Sequence, residues 1–170
     1  LGALGRETKV TTAIILGSSL GPVADAVSDP LVIPYGDIPG FPVSRVSGHA
    51  GRLVVGKLGG VEVGVLQGRS HPYESGNPAV MRPAIEILKA AGIETLILTN
   101  AAGSLDVKMR PGAIMLITDH INFSGMNPLV GQQGDENFVP MTNAYDPALR
   151  KKMLAAAEQK NLTLHQGVYV

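Results

Sequence analysis

The chain reads as an α/β protein, a three-layer α/β/α arrangement around a central mixed sheet. Three observations predict this. Apolar runs too short to be ordinary helices recur at residues 11–16, 95–99 and 113–118, the pattern of strands buried on both faces. Segments with helical apolar spacing lie between them. Strand and helix therefore alternate along the chain, with no internal repeat, which is how a mostly parallel or mixed sheet is written.

Each element has its own warrant. Residues 11–16 (TTAIIL) form a strand that Gly17-Ser18-Ser19-Leu20-Gly21 ends. Pro22 suits the first turn of a short helix over 23–27, where its missing N–H costs nothing. Residues 30–51, dense in Pro and Gly, are expected to be a surface excursion. Stretches 52–58 and 61–66 flank Gly59-Gly60, a two-residue hairpin turn. Asn77-Pro78 reads as an N-cap and first helical residue. Val80, Ala84, Ile87, Leu88 and Ala91 then recur at helical spacing until Gly92 stops the helix. Pro83 is tolerable there because it falls near the first turn. TLILT (95–99) and AIMLIT (113–118) are further strands. Asp146-Pro147 opens a helix to about Lys160, and 162–170 returns to strand. Residues 119–145 lack periodicity, and structureless loops beyond about 15 residues are uncommon unless they bind something or are disordered. Ile121, Phe123, Met126, Leu129 and Phe138 favour packing against a ligand or a neighbouring subunit.

Composition excludes several classes. The 14 Lys+Arg balance 14 Asp+Glu, so no bulk field draws nucleic acid or an anionic membrane, and a charged ligand must be held locally. Hydrophobic residues make up 45% and charged ones 16%, which suits a sizeable core or an oligomer rather than a disordered tail. With no cysteine there is no disulfide, thiolate nucleophile or thiolate metal site. No apolar run approaches the roughly 18 residues of a membrane helix, and the first ten residues carry no signal-peptide pattern. The expectation is a soluble cytoplasmic protein. Its 170 residues are expected to form a single domain. The start at Leu1 and the stop inside an apolar strand lead to the expectation of a fragment.

Anion chemistry gathers at the ends of strands, where open α/β sheets bind ligands. Gly17-Ser18-Ser19-Leu20-Gly21 follows a strand, so its amides favour an anion, although a plain tight turn fits equally well. Ser19 breaks the dinucleotide GxGxxG pattern, and no Gly-Lys-Ser/Thr follows to make a Walker loop. In Gly68-Arg69-Ser70-His71-Pro72-Tyr73-Glu74 an extended chain puts Arg69, His71 and Tyr73 on one face. Arg offers a planar fork of donors for phosphate, His adds another donor, and Tyr73 lies further out toward a sugar. Asn100-Ala101-Ala102-Gly103-Ser104 permits close backbone approach to an anion. Gly48-His49-Ala50-Gly51 is a weaker fourth candidate, with a structural turn and an exposed His as the alternative. His49, His71, His120 and His165 lack metal-ligand spacing, so no metal is expected. No GxSxG elbow and no aspartate cluster point to an α/β-hydrolase or a calcium-assisted nucleoside hydrolase.

Taken together, these segments resemble the trimeric purine nucleoside phosphorylases, including their xanthosine-phosphorylase branch. The resemblance is carried by residues 14–21, Pro39-Gly40-Phe41-Pro42, residues 48–51, 68–74 and 99–105, Asp119-His120-Ile121-Asn122 and Asn143-Ala144-Tyr145-Asp146, which run in family order. It implies reversible phosphorolysis of a purine nucleoside to free base and pentose 1-phosphate, with inorganic phosphate as co-substrate and no cofactor. Carried over, phosphate falls to Ser18, His49, Arg69, Ser70, His71 and the backbone of Ala101, with Arg69 and His71 the catalytic pair. Tyr73 and Asn100 fall to the nucleoside. Phe138 matches the aromatic that reaches into a neighbouring subunit's site, which implies a homotrimer. Such cleavage builds positive charge on the sugar, which a fixed phosphate dianion stabilises and then captures.

Two departures stand out. Ser19 replaces the usual Gly of GSGLG, and Ser75 stands where YEG has Gly. The family's purine-recognising Glu and Asn, a further phosphate Ser and a ribose His fall beyond the position of Val170. A methylthioadenosine-type phosphorylase and a non-catalytic phosphate- or nucleoside-binding remnant are the alternative readings.

Overall fold

A computed structural model describes residues 9–43 and 50–170. These form two compact units, one up to Ala101 and the other spanning Ala102–Val170.

The first unit is a five-stranded mixed sheet in the order β2-β3-β4-β1-β5. Its strands are β1 (Thr12–Leu16), β2 (Ser28–Pro34), β3 (Arg52–Leu58), β4 (Val61–Gln67) and β5 (Thr95–Leu98). Here β1 runs parallel to both β4 and β5, whereas β3 is antiparallel to β4 and to β2. The period of two divides the strand residues between two cores. Ala13, Ile15, Leu53 and Leu66 join Tyr35, Phe41, Ala84 and Leu88 on one face. Ile14, Leu16, Val54, Val63 and Val65 join Val23, Ala24 and Val27 on the other. Helix α1 (Pro22–Asp25) contributes to the second core and α3 (Arg82–Ala90) to the first, so helices cover both faces as expected. The hairpin at Gly59-Gly60 forms in the expected place, pairing Leu58 with Val61 and Arg52 with Gln67.

Two expectations need correction. Residues 30–51 are not wholly a surface excursion: β2 occupies the sheet edge, followed by a 3₁₀ turn at Tyr35–Asp37, and Tyr35 and Phe41 are core residues. Pro30 is accommodated because an edge strand needs no second ladder of N–H donors and its register shifts between Ser28 and Leu31. Asn77 does not cap the next helix. It closes a local turn, its Oδ1 accepting from the Ala79 N–H at 2.9 Å, and α3 starts at Arg82 after Met81. The cause is Pro83, whose ring tolerates only a first-turn position, so the helix cannot run through it from residue 78.

The second unit pairs β6 (Ile114–His120) in parallel with β7 (Leu164–Tyr169), joined in sequence through α4 (Pro147–Gln159). Asp146 caps α4 as predicted, its Oδ1 accepting from the Leu149 N–H at 2.8 Å. No helix among the described residues is long and apolar enough to cross a membrane.

Candidate active site

Sheet topology brings the predicted anion segments of the first unit to one rim. Leu16 is level with Gln67, and Ile15 with Leu98, so β1, β4 and β5 all end at the same edge. Residues 17–21, 68–71 and 99–101 leave the sheet there side by side. Because β3 is reversed, its first residue, Arg52, is also level with Gln67. The chain therefore enters β3 at this rim through Gly51. His49 lies outside the described residues.

Threonine 99 is the hub. Its Oγ1 accepts from the Gly17 N–H at 2.8 Å and donates to the Ile15 carbonyl at 3.1 Å. Its carbonyl accepts from Arg69 Nη1 at 2.6 Å. Gly17 is required for this approach, since a Cβ there would stand 2.6 Å from the Thr99 oxygen and 2.8 Å from Asn100 Cα. At the other end of the loop, Gln67 Nε2 donates to the Gly21 carbonyl at 3.2 Å. Ser18 and Ser19 are exposed between these two anchors. Ser19 sits at φ +68°, a left-handed conformation that a glycine would adopt freely.

Arg69, His71 and Glu74 form a chain of contacts. Arg69 Nε donates to His71 Nε2 at 3.3 Å, and Glu74 Oε1 lies 3.1 Å from His71 Nδ1. Since Nε2 accepts, the network places the imidazole proton on Nδ1, facing the carboxylate. Glu74 also accepts from the His71 backbone N–H at 2.7 Å, at the start of α2 (Pro72–Ser75). His71 and Glu74 are largely buried, and Ser70 is a buried polar residue beside them in sequence, 4% exposed.

The extended path expected for 69–73 stops at His71, because Pro72 begins α2. Tyr73 therefore does not follow the period of two. It still meets His71: the rings stack with centroids 4.8 Å apart and planes 15° from parallel, and Tyr73 remains 75% exposed. Asn100 is half-buried and donates from Nδ2 to the Ala101 carbonyl at 3.2 Å, while Ala101 is exposed. Phe138 belongs to the second unit and is 83% exposed. In that unit His120 and Tyr145, from two of the resemblance segments, meet edge to face with the Tyr145 hydroxyl 3.2 Å from His120 Nδ1. Partial burial, and then the charge of Asp119, push the Tyr145 phenol above its ordinary pKa.

Sequence reasoning missed Thr99, Gln67 and the orienting role of Glu74. The last was legible, because a carboxylate three residues after a helix-starting position is the capping-box spacing. Among the described residues no three His, Asp or Glu side chains gather as a metal site would need.

The fold and this rim define an α/β protein of nucleoside-phosphorylase type, with Gly17, Arg69 and Thr99 gathered at the carboxyl ends of adjacent parallel strands. The chain belongs to the phosphorylase superfamily, whose family model matches residues 11–170. It is 45% identical to purine nucleoside phosphorylase 1 of Bacillus subtilis over 159 residues, covering 92% of this chain and 59% of that protein. A crystal structure of a purine nucleoside phosphorylase in complex with ribose-1-phosphate aligns with a TM-score of 0.87 at 38% identity, covering 97% of this chain and 64% of that one. The Schistosoma mansoni enzyme in complex with inosine aligns with a TM-score of 0.86 at 39% identity, covering 97% and 60%. The chain thus spans about three-fifths of the length of these relatives.

Proposed function

We propose that this chain carries the phosphate side of a purine nucleoside phosphorylase site, acting in reversible phosphorolysis of a purine ribo- or deoxyribonucleoside. One observation carries the reading: loops 17–21, 68–71 and 99–101 leave three adjacent strands at one rim, with Arg69 and Gly17 both bound to Thr99. Relatives solved with ribose-1-phosphate and with inosine support the substrate class.

In this reading the Ser18 hydroxyl, the Ala101 amide, Ser70, His49 and the Arg69 fork hold a phosphate dianion. Glu74 fixes the His71 ring so that Nε2 accepts from Arg69 and steadies the guanidinium that meets the anion. Tyr73, stacked on His71, and Asn100 border the sugar. The glycosidic C–N bond breaks with its electron pair leaving on the base, which takes up a proton. Positive charge on the anomeric carbon is stabilised by the phosphate, whose oxygen then bonds to that carbon. Neither a protein nucleophile nor a metal or organic cofactor enters the scheme. Phe138 completes the nucleoside pocket of a neighbouring copy in a homotrimer, and the protein works in the cytoplasm. Hypoxanthine release from inosine, with and without phosphate, tests the activity, and calorimetric titration with phosphate tests the anion site directly. Phosphate-dependent release and saturable phosphate binding are expected. Release independent of phosphate, or no phosphate binding, would refute the reading.

A further inference from the structure

We propose that Tyr35 is a positioning residue for the anion site, setting the spacing between the Arg69 arm and Gly51. The proposal rests on the phosphate reading above. Tyr35 lies just beyond β2, and its ring is 2% exposed, packed on Phe41 with centroids 4.5 Å apart. The ring is core, but its polar atoms serve the rim. The hydroxyl donates to the Gly68 carbonyl at 2.8 Å. Its backbone N–H donates to the Gly51 carbonyl at 2.8 Å, and the Gly51 N–H donates in turn to the Gln67 carbonyl at 3.0 Å. Tyr35, Gly51, Gln67 and Gly68 thereby close a ring of bonds joining the exit of β2, the entry of β3 and the exit of β4.

The peptide held by this ring is the one that presents Arg69. Gly68 sits at φ +106°, a conformation that side chains rarely adopt, so local sterics alone set its orientation loosely. Fixing the Gly68 carbonyl fixes the plane from which Arg69 departs, while Thr99 holds the far end of the guanidinium. The arginine is thus held at its root by the peptide that Tyr35 fixes and at its guanidinium by Thr99 and His71. A phenylalanine would fill the same space, so packing alone does not account for the hydroxyl. Burial raises the phenol's pKa well above its ordinary value, which keeps it a donor at any pH where the protein works.

The test is calorimetric titration of this chain with inorganic phosphate. Tyr35→Phe is expected to weaken phosphate binding about three- to tenfold, the range spanned by one hydrogen bond. Arg69→Ala should weaken it further, and adding Tyr35→Phe to Arg69→Ala should change nothing more, because Tyr35 acts through Arg69. Phe41→Leu loosens the same ring contact without touching Gly68, so it should lower the melting temperature and leave phosphate affinity intact. Unchanged affinity in Tyr35→Phe beside weakened binding in Arg69→Ala would overturn the proposal alone. So would a Phe41→Leu loss equal to that of Tyr35→Phe, which would mark both as general softening of the core. If Arg69→Ala also binds normally, the phosphate reading falls and takes the proposal with it.

Discussion

Replacing Ser19 with glycine isolates a single backbone strain. Ser19 stands at φ +68° in the loop between β1 and α1, exposed, with no hydrogen bond from its side chain to a described residue. Holding an L-residue in the left-handed region costs about 1–2 kcal/mol, and glycine removes that cost. Glycine gives back roughly 0.5–1 kcal/mol through the greater freedom of its unfolded chain. The net expectation is a gain of about 0.5–1 kcal/mol, or roughly 1–4 °C in melting temperature for a chain of this size. Urea unfolding followed by circular dichroism measures it, with Ser19→Ala as the control. Alanine keeps the strain and loses only the hydroxyl, so it should gain nothing. Phosphate affinity in Ser19→Gly should hold or improve. A stability loss, or sharply weaker phosphate binding, would show that the Ser19 side chain supports the loop and would refute the strain argument.

Other perturbations probe the rim independently. Arg69→Ala should raise the phosphate KM about 10- to 100-fold, as loss of a charged hydrogen bond implies, and His71→Ala about three- to tenfold, because His71 acts by holding Arg69, with little change in nucleoside affinity in either; equal losses for both substrates, with the fold intact, would contradict the assignment. Gly17→Ala forces a methyl into the Thr99 backbone and should cost about 1–3 kcal/mol in urea unfolding, whereas a neutral result would mean that β1 and β5 can spread. The buried Tyr35 phenol has its folded pKa raised above 10.0, so above that pH the unfolded state binds fewer protons and stability declines. Alkaline unfolding should therefore be shallower in Tyr35→Phe; an identical pH profile would mean the phenol is not desolvated.

Much of this rim was legible because strand ends are written in composition. The run TTAIIL before Gly17, and TLILT before Asn100, place two of the three loops with no tertiary knowledge. Gly59-Gly60 fixes the hairpin, since few other dipeptides close a two-residue turn. What failed was non-local. Pro30 and Pro34 made β2 look like loop, because an edge strand tolerates the residues that a central strand excludes. Nothing near Tyr35 in sequence announces that its partners lie at Gly51 and Gly68. The helix start was misplaced for a different, local reason: two prolines five residues apart cannot share one first turn, and Pro83, inside the apolar spacing of Ala84 and Leu88, takes it. Thr99 resembled the last residue of a strand, and its role as hub depends on the close approach of Gly17, which spacing does not encode.

The reversal of β3 has a consequence at the far end of the hairpin. β3 and β4 are each seven residues long, so the Gly59-Gly60 turn lies roughly 20 Å from the rim. That distant turn nevertheless clocks the two strands against each other. One residue added there would slide β3 by a position, exchange its inward and outward side chains, and carry Gly51 out of step with Gln67. The turn touches no ligand, but its length is a dimension of the binding site.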